Sequence, residues 1–314
     1  MSDQTKASTG VGSKPAGEAI WSIGIYSGDT PFNLSPCADI RNPVLSAESV
    51  TDVPAEFVAD PFMIRVGGSW HMFFEVMNAQ TMRGEIGWAQ SEDGLGWAYR
   101  GIVLREPFHL SYPYVICADG EFYMIPESHK AGRTKLYRGD PFPDRWSSVG
   151  TIMDGGWVDS SLLFFDGLWW MFTCPAGSRS SSLELFCSES LGGRWLRHAM
   201  SPLIVENDRI ARPGGRVIAL GNEIIRFCQD CYPRYGTRIR AFEITQLSTS
   251  TYVEREVDST PILAGGKEWN MDGMHHVDPH WTGDRWLACV DGFVLKEANA
   301  ASEVLLRGAW SRGH

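Results

Sequence analysis

Five positions in this chain carry side chains that could do chemistry, and they recur at a steady interval. They are Asp60 before Pro61, Tyr112 before Pro113, Asp159, Arg212 before Pro213, and the pair His275-His276. Gly68, Gly120 and Gly167 lie eight residues after Asp60, Tyr112 and Asp159, as Gly221 and Gly283 do after Pro213 and His275. Two carboxylates, a phenol, a guanidinium and imidazoles brought to one place make a polar pocket and are poor material for a hydrophobic plug. Paired carboxyl groups are the equipment of glycoside chemistry, where a protonated group faces a base or nucleophile across ~5–5.5 Å or ~6.5–9.5 Å. Glu75 and Glu127 add two more at matched register, fifteen residues after Asp60 and Tyr112, where the third copy has Cys174. The guanidinium of Arg212 suits a phosphate or carboxylate, which it binds bidentately. In "HHVDPH" the residues His276, Asp278 and His280 alternate, so a strand would present all three on one face, as a metal site of two histidines and a carboxylate requires. Pro279 disfavours a regular interior strand there, and a lone channel histidine bound to water or sugar is the competing reading.

The elements that must position these residues are short strands. "GGSWHMFFE" (67–75), "DGEFYMIPE" (119–127) and "DGLWWMF" (166–172) each read as a turn followed by a strand, with an apolar strand before the glycine. Asp-Gly between two such runs is a strong hairpin signal. A second hairpin follows the first in each of the first four copies, giving four strands per repeat, which is a propeller blade. Successive copies are separated by 52, 47, 54 and 62 residues, close to the ~50 of kelch-type repeats. Five copies predict an all-β, five-bladed β-propeller with four-stranded blades. The fifth copy has little chain after Gly292, while "AIWSIGIYSG" (19–28) is strand-like and unassigned. This N-terminal strand is expected to complete the last blade, because closing the ring removes exposed sheet edges. Inner strands would then gather the five anchors around one end of the channel. Neighbouring side chains on a strand point to opposite faces, so Trp169 and Trp170 should enter two different layers between blades. Trp170 is also a candidate to stack on a sugar.

The composition is consistent with that architecture. The 314 residues are 43% hydrophobic and 21% charged, with 33 Gly, 17 Pro and 13 Trp, which suits many short strands joined by turns. A net charge of −10 with no Lys/Arg cluster excludes a nucleic-acid-binding surface. There is no Walker loop and no dinucleotide fingerprint. Residues 1–18 are polar and read as a disordered lead-in without a signal peptide, and 19–314 as one propeller domain. No apolar run approaches the ~20 residues of a membrane span. Cys228 and Cys231 form a CxxC with no second pair to complete a zinc site, so the seven cysteines read as buried free thiols and the protein as cytoplasmic.

Here the chain resembles the five-bladed propeller glycoside hydrolases of the arabinanase/β-xylosidase kind. "ADPFMIRVGGSWHMFFE", "VDSSLLFFDGLWWMF" and "GMHHVD" are similar to that family's first-, third- and fifth-blade motifs. The resemblance implies that Asp60 is the general base or nucleophile, that Asp159 tunes the acid and positions substrate, and that a central histidine lies near calcium or water. "GEFYMIPES", "LYRGDPFPDRW", "DGLWWMF" and "FCQDC…YG" more closely resemble the N-terminal propeller domain of plant glucosamine inositolphosphorylceramide transferases and its bacterial relatives, which implies work on carbohydrate. One departure matters: the hydrolases open blade four with an acid in Glu-Gly-Pro, and this chain has Ala211, Arg212 and Pro213 there. Glu127 is the expected replacement acid, with Glu75 and then Asp230 behind it. Three functions stay open: a glycoside hydrolase or transglycosidase, a silent glycan-binding propeller, and a metal-dependent sugar-modifying enzyme. In each, a small sugar or glycoside, with Tyr112, Arg212, Asp230, His275, His276 and Trp170 around it, is the partner.

Overall fold

The computed structural model describes residues 17–221 and 223–296. Among these, 21 strands and three one-turn 3-10 helices form five sheets. From channel to rim, the first blade is Ala55–Val66, Ser69–Asn78, Arg83–Ser91 and Ala98–Leu104. The second is Ser111–Ala118, Glu121–Glu127, Arg133–Gly139 and Trp146–Asp154, and the third Trp157–Phe165, Leu168–Pro175, Glu184–Ser188 and Leu196–Arg197. The fourth begins with the short Ile218–Leu220, followed by Glu223–Asp230, Arg238–Leu247 and Tyr252–Glu256, and Leu263–Ala264 also pairs with its third strand. The fifth holds Val277–Trp281 and Trp286–Lys296 from late in the chain and then Glu18–Gly28 and Ser35–Pro36 from its start. The ring is therefore closed by the N-terminal strand, and the chain is a five-bladed β-propeller.

The chain divides into two compact units, Trp21–Val294 and one made of Met1–Ile20 with Leu295–His314. Of the second, residues 17–20 and 295–296 are described; 18–20 and 295–296 are ends of two strands. The expected lead-in over 1–18 falls outside the described residues except for Gly17 and Glu18, where the first strand begins. No helix among the described residues is long and apolar enough to cross a membrane. All seven cysteines are free; six are buried, and Cys117 is exposed, against the expectation of burial.

Local sequence explains the repeated hairpins. Asp119 and Gly120 turn at φ 52° and 79°, Asp166 and Gly167 at 51° and 76°. Both central residues thus have positive φ, as the favoured two-residue hairpin turn needs. Apolar layers fill the spaces between blades. Trp169 packs on the cluster with Met171, Phe186 and Tyr137, while Trp170 joins Phe172, Leu185, Ile224 and Ile244 in the next layer. The two neighbouring indoles do enter different layers, as the pleat dictates.

The turn-side half of the channel is plugged. Arg216 donates through Nε to Asp278 Oδ1 at 2.5 Å and through Nη2 to the Val115 carbonyl at 3.1 Å. Its guanidinium lies 4.9 Å from the Tyr114 ring and 5.6 Å from that of Phe62. The Met63 amide donates to Asp278 Oδ2 at 2.6 Å, and the Tyr114 hydroxyl to the Leu162 carbonyl at 2.5 Å. The ion pair thus ties blades four and five to blades one and two, and the Tyr114 hydroxyl extends the contact to blade three.

Candidate active site

Three of the five anchors sit on identical backbone irregularities. Asp60, Tyr112 and Asp159 have φ of 54°, 45° and 51°, and strand pairing slips at each, between Ala59 and Phe62, Ser111 and Tyr114, and Val158 and Ser161. A bulge of this kind bends the strand and re-aims a side chain. Left-handed φ costs energy for a non-glycine residue, most for bulky Tyr112, and such strain collects at functional sites. Opposite the residue just before each bulge stands the matched position of the second strand: Glu75 across from Ala59, Glu127 from Ser111, Cys174 from Val158. The fifteen-residue spacing is therefore a real register.

The ring so formed is rich in buried carboxyl groups. Asp60, Glu75, Glu127, Asp159 and Asp291 are all at most 6% exposed. Against them stand Arg212 and His275. Arg212 Nε donates to Asp159 Oδ2 at 2.5 Å, and its Nη2 lies 3.8 Å from Glu127 Oε2. Gln229 Nε2 also donates to Asp159 Oδ2, at 2.7 Å. Asp291 Oδ1 is 2.8 Å from His275 Nδ1 and accepts the His275 amide at 3.2 Å, while its Oδ2 accepts the Asp60 amide at 3.0 Å. His275 Nε2 then faces Asp60 Oδ1 at 3.7 Å. Trp21 stacks on the His275 ring at 3.9 Å, and the half-exposed Tyr235 stands edge-on to it at 5.2 Å and over Arg212 at 4.9 Å. Trp21 and Tyr235 form an aromatic wall.

Electrostatics separate the five carboxyls. Burial, reinforced by Asp159, Asp291 and Glu127 against His275, pushes Asp60 up to about 8. Burial and the same acidic neighbourhood raise Glu75 well above the carboxylate range. Asp159 rises to about 6 through burial, with Arg212 opposing. Burial acts on Glu127 too, but His129, 2.5 Å from its Oε1, together with Arg212 holds it below its ordinary value. Asp291, likewise buried, is held low by His275. His275 is raised: burial opposes its charge, and Asp291 and Asp60 outweigh that.

Several expected site residues are placed differently. Glu127, expected as the proton donor, is an ionised carboxylate clamped by His129 and Arg212. Arg212 is already matched by Asp159 and Glu127, so it is not a free receptor for an anionic sugar. The Tyr112 hydroxyl is fully buried and joins blades, bonding Ser161 Oγ at 2.8 Å and accepting from the Gly215 amide at 2.6 Å; what Tyr112 offers the ring is its amide, which donates to Asp60 Oδ2 at 3.2 Å. Asp230 points away on the other face of its strand, bound by Arg240 at 2.9 Å and Arg238 at 3.4 Å. Trp170 is core, its indole N–H donating to the Phe165 carbonyl at 3.1 Å. His276 is fully buried under the ring between Phe62 and Tyr112, with neither ring nitrogen hydrogen-bonded.

The metal triad does not assemble. Asp278 is taken by Arg216 and the Met63 amide, with His280 Nε2 3.1 Å from it, and His276 instead approaches Asp60 at 3.8 Å. A different trio, Asp60, His275 and Asp291, brings ligand-type atoms within 4.8 Å. It does not fit calcium, which takes six to eight oxygens: both Asp291 oxygens accept N–H groups, and the His275 imidazole stands between Asp291 and Asp60.

Sequence reasoning missed Gln229, Asp291, Tyr235 and Trp21. Asp291 lies sixteen residues after His275, one beyond the register of the first three blades. Gln229 was hidden beside the more conspicuous Asp230. Trp21 and Tyr235 lie outside the repeated hairpins.

Comparison with known proteins agrees with this architecture. Three solved propellers share the fold at low sequence identity. One belongs to the family 130 mannoside phosphorylases and glycoside hydrolases, described as targeting β-1,2-mannosidic linkages, with TM-score 0.59, 14% identity and coverage of 85% of this chain and 94% of that one. The family 62 α-L-arabinofuranosidase of Coprinopsis cinerea gives 0.56, 12%, 88% and 97%. The α-L-arabinanase of Cellvibrio cellulosa gives 0.53, 19%, 74% and 86%. In sequence, the chain is 35% identical over 308 residues to glucosamine inositolphosphorylceramide transferase 1 of Oryza sativa subsp. japonica, covering 91% of this chain and 41% of the relative. The Arabidopsis thaliana protein of that name is 34% identical over 323 residues, covering 96% and 42%. The chain thus spans about two-fifths of the length of these relatives. Residues 13–293 match the family model described as "Glucosamine inositolphosphorylceramide transferase 1, N-terminal", and the chain belongs to that family.

Proposed function

We propose that this domain acts on a neutral glycoside held in the ring, with Asp60 as the proton-accepting base. One observation carries the reading: Asp60 stands at the first of three matched bulges, in a ring of buried carboxyl groups that brings its pKa up to about 8. A base is most effective when its pKa lies near the working pH. Asp60 also has its geometry fixed by the bulge and by the Tyr112 amide. Asp159, Glu127 and Gln229, locked around Arg212, orient sugar hydroxyls, and the exposed Tyr235 supplies the face on which a sugar ring stacks. The base takes its proton from water or from an alcohol acceptor. The name of the longer relatives, a transferase, favours weighing both acceptors.

A second reading is a glycan-binding domain without chemistry. It is favoured by the slight exposure of the ring, where Asp60 is 5% and Asp159 2% exposed. A panel of aryl glycosides, assayed with wild type and Asp60→Asn, separates the two. Cleavage that Asp60→Asn abolishes supports the first reading; binding of sugars without cleavage, unchanged by Asp60→Asn, supports the second.

A further inference from the structure

Resting on the glycoside reading, we propose that Glu75 is the proton donor of the ring and that His109 is the residue that positions its proton. Glu75 is 6% exposed, and its Oε1 is enclosed without a hydrogen-bond partner. Nothing basic clamps it as His129 and Arg212 clamp Glu127. The groups facing it are four carboxyls, Asp60, Glu127, Asp159 and Asp291, all of which disfavour a second negative charge, and the His109 imidazole.

That imidazole is set in one tautomer. The Gly84 amide donates to His109 Nδ1 at 2.8 Å, so Nδ1 carries no proton. Burial, with His129 and Lys130 nearby, lowers His109 to about 4, so the ring is neutral and its single proton is on Nε2. Nε2 lies 3.3 Å from Glu75 Oε1, short of the alignment of a hydrogen bond. A protonated Nε2 on the Oε1 side of the carboxyl favours placing the acid proton on the other oxygen, Oε2. Gly84 makes the pairing possible: a Cβ there would lie 2.8 Å from Glu75 Oε1 and 2.8 Å from His109 Cε1. That Cβ would also collide with the Leu110 carbonyl oxygen, so glycine at 84 serves the backbone crossing as well as the acid–imidazole pair.

In the reaction, Asp60 takes a proton from the acceptor hydroxyl as that oxygen bonds to the anomeric carbon. The glycosidic C–O bond breaks, its electron pair stays on the leaving oxygen, and Glu75 gives that oxygen its proton. Glu75 is reprotonated and Asp60 deprotonated by solvent, which restores the site.

Two measurements test this on the whole chain. Infrared difference spectra of wild type against Glu75→Gln at neutral pH, without substrate, should show a protonated carboxyl band that vanishes in the variant; no difference overturns Glu75 as a proton carrier, whatever the activity. In kinetics, Glu75→Gln should slow glycosides with poor alcohol leaving groups by ~10²–10⁴-fold, leave activated aryl glycosides within a few-fold, and remove the alkaline limb of the pH profile. His109→Ala should move that limb, and His109→Gln, which restores an N–H, should return it. The leaving-group signature appearing in Glu127→Gln and not in Glu75→Gln overturns the assignment. A band in the infrared with no cleavage of any glycoside sinks the glycoside reading and the donor role together, while leaving the protonated state of Glu75 established.

Discussion

The channel holds two layers of buried charge, and they behave oppositely. In the plug, Arg216 and Asp278 match each other, and nearby carbonyls, an amide and His280 complete their hydrogen bonds. Burial opposes the Asp278 charge, but Arg216 outweighs it and holds the carboxyl well below its usual range. In the ring, five carboxyls meet Arg212 and His275, and Glu75 Oε1 and both His276 nitrogens have no hydrogen-bond partner. Burial of charge therefore does not by itself mark a site. A matched pair secures the scaffold; an imbalance leaves protons to be moved, and it stands at the three strained bulges.

Breaking the matched layer should have the largest effect. Arg216→Met leaves Asp278 buried and unpaired, which costs about 3–5 kcal/mol; chemical denaturation should show that loss, and a stability change below ~1 kcal/mol would mean the plug is dispensable. In the ring the same kind of change should cost function and spare the fold. Asp60→Asn should lower glycoside turnover by at least ~10²-fold with thermal stability retained near pH 7.

The sign of the pH response separates the layers further. Asp60 binds its proton more tightly folded (about 8) than unfolded (~3.9), so its contribution to stability is complete below the unfolded value and is lost as pH rises toward 8. Asp278 works the other way, stabilising above the unfolded value and less as pH falls. Asp60→Asn should thus flatten the decline in melting temperature between pH 5 and 8; an unchanged slope would show that Asp60 is ionised when folded. The smallest effect belongs to the wall. Tyr235→Ala should weaken sugar binding by ~2–12-fold, the equivalent of ~0.5–1.5 kcal/mol for an aromatic contact, readable by calorimetry.

The fold was legible because a turn with two positive φ values demands residues such as Asp-Gly, and these recur at blade length. The anchors were legible for a related reason, since Asp60, Tyr112 and Asp159 each begin the same bulge. What failed was the step from position to role. Glu127 and Glu75 occupy the same register, and only folding sets their titration apart: His129 and Arg212 hold Glu127 below its ordinary value, while burial among Asp60, Glu127, Asp159 and Asp291 raises Glu75. Blades four and five slipped off the ruler because the inner strand of blade four is only Ile218–Leu220 and because Asp291 comes one residue late. Alternation of side chains exchanged Asp230 for Gln229. Trp170 looked like a ligand platform because residue type cannot distinguish the inside of a blade interface from its mouth.

The mixed parentage of the last blade has a consequence for how the molecule is made. The strand Glu18–Gly28 leaves the ribosome before every other described strand, yet its neighbour in the sheet, Trp286–Lys296, is the last of them to be made. Contacts such as that of Asn270 with Tyr26 span 244 residues. The entropy of closing so long a loop grows only logarithmically and is modest, but pairings this distant slow folding. Until they form, a growing chain carries two unsatisfied sheet edges that another strand, or another copy, could occupy. Ring closure is thus the slow and vulnerable step in the folding of this propeller, and the early strand, paired until then only with the neighbouring Ser35–Pro36, must wait for Trp286–Lys296.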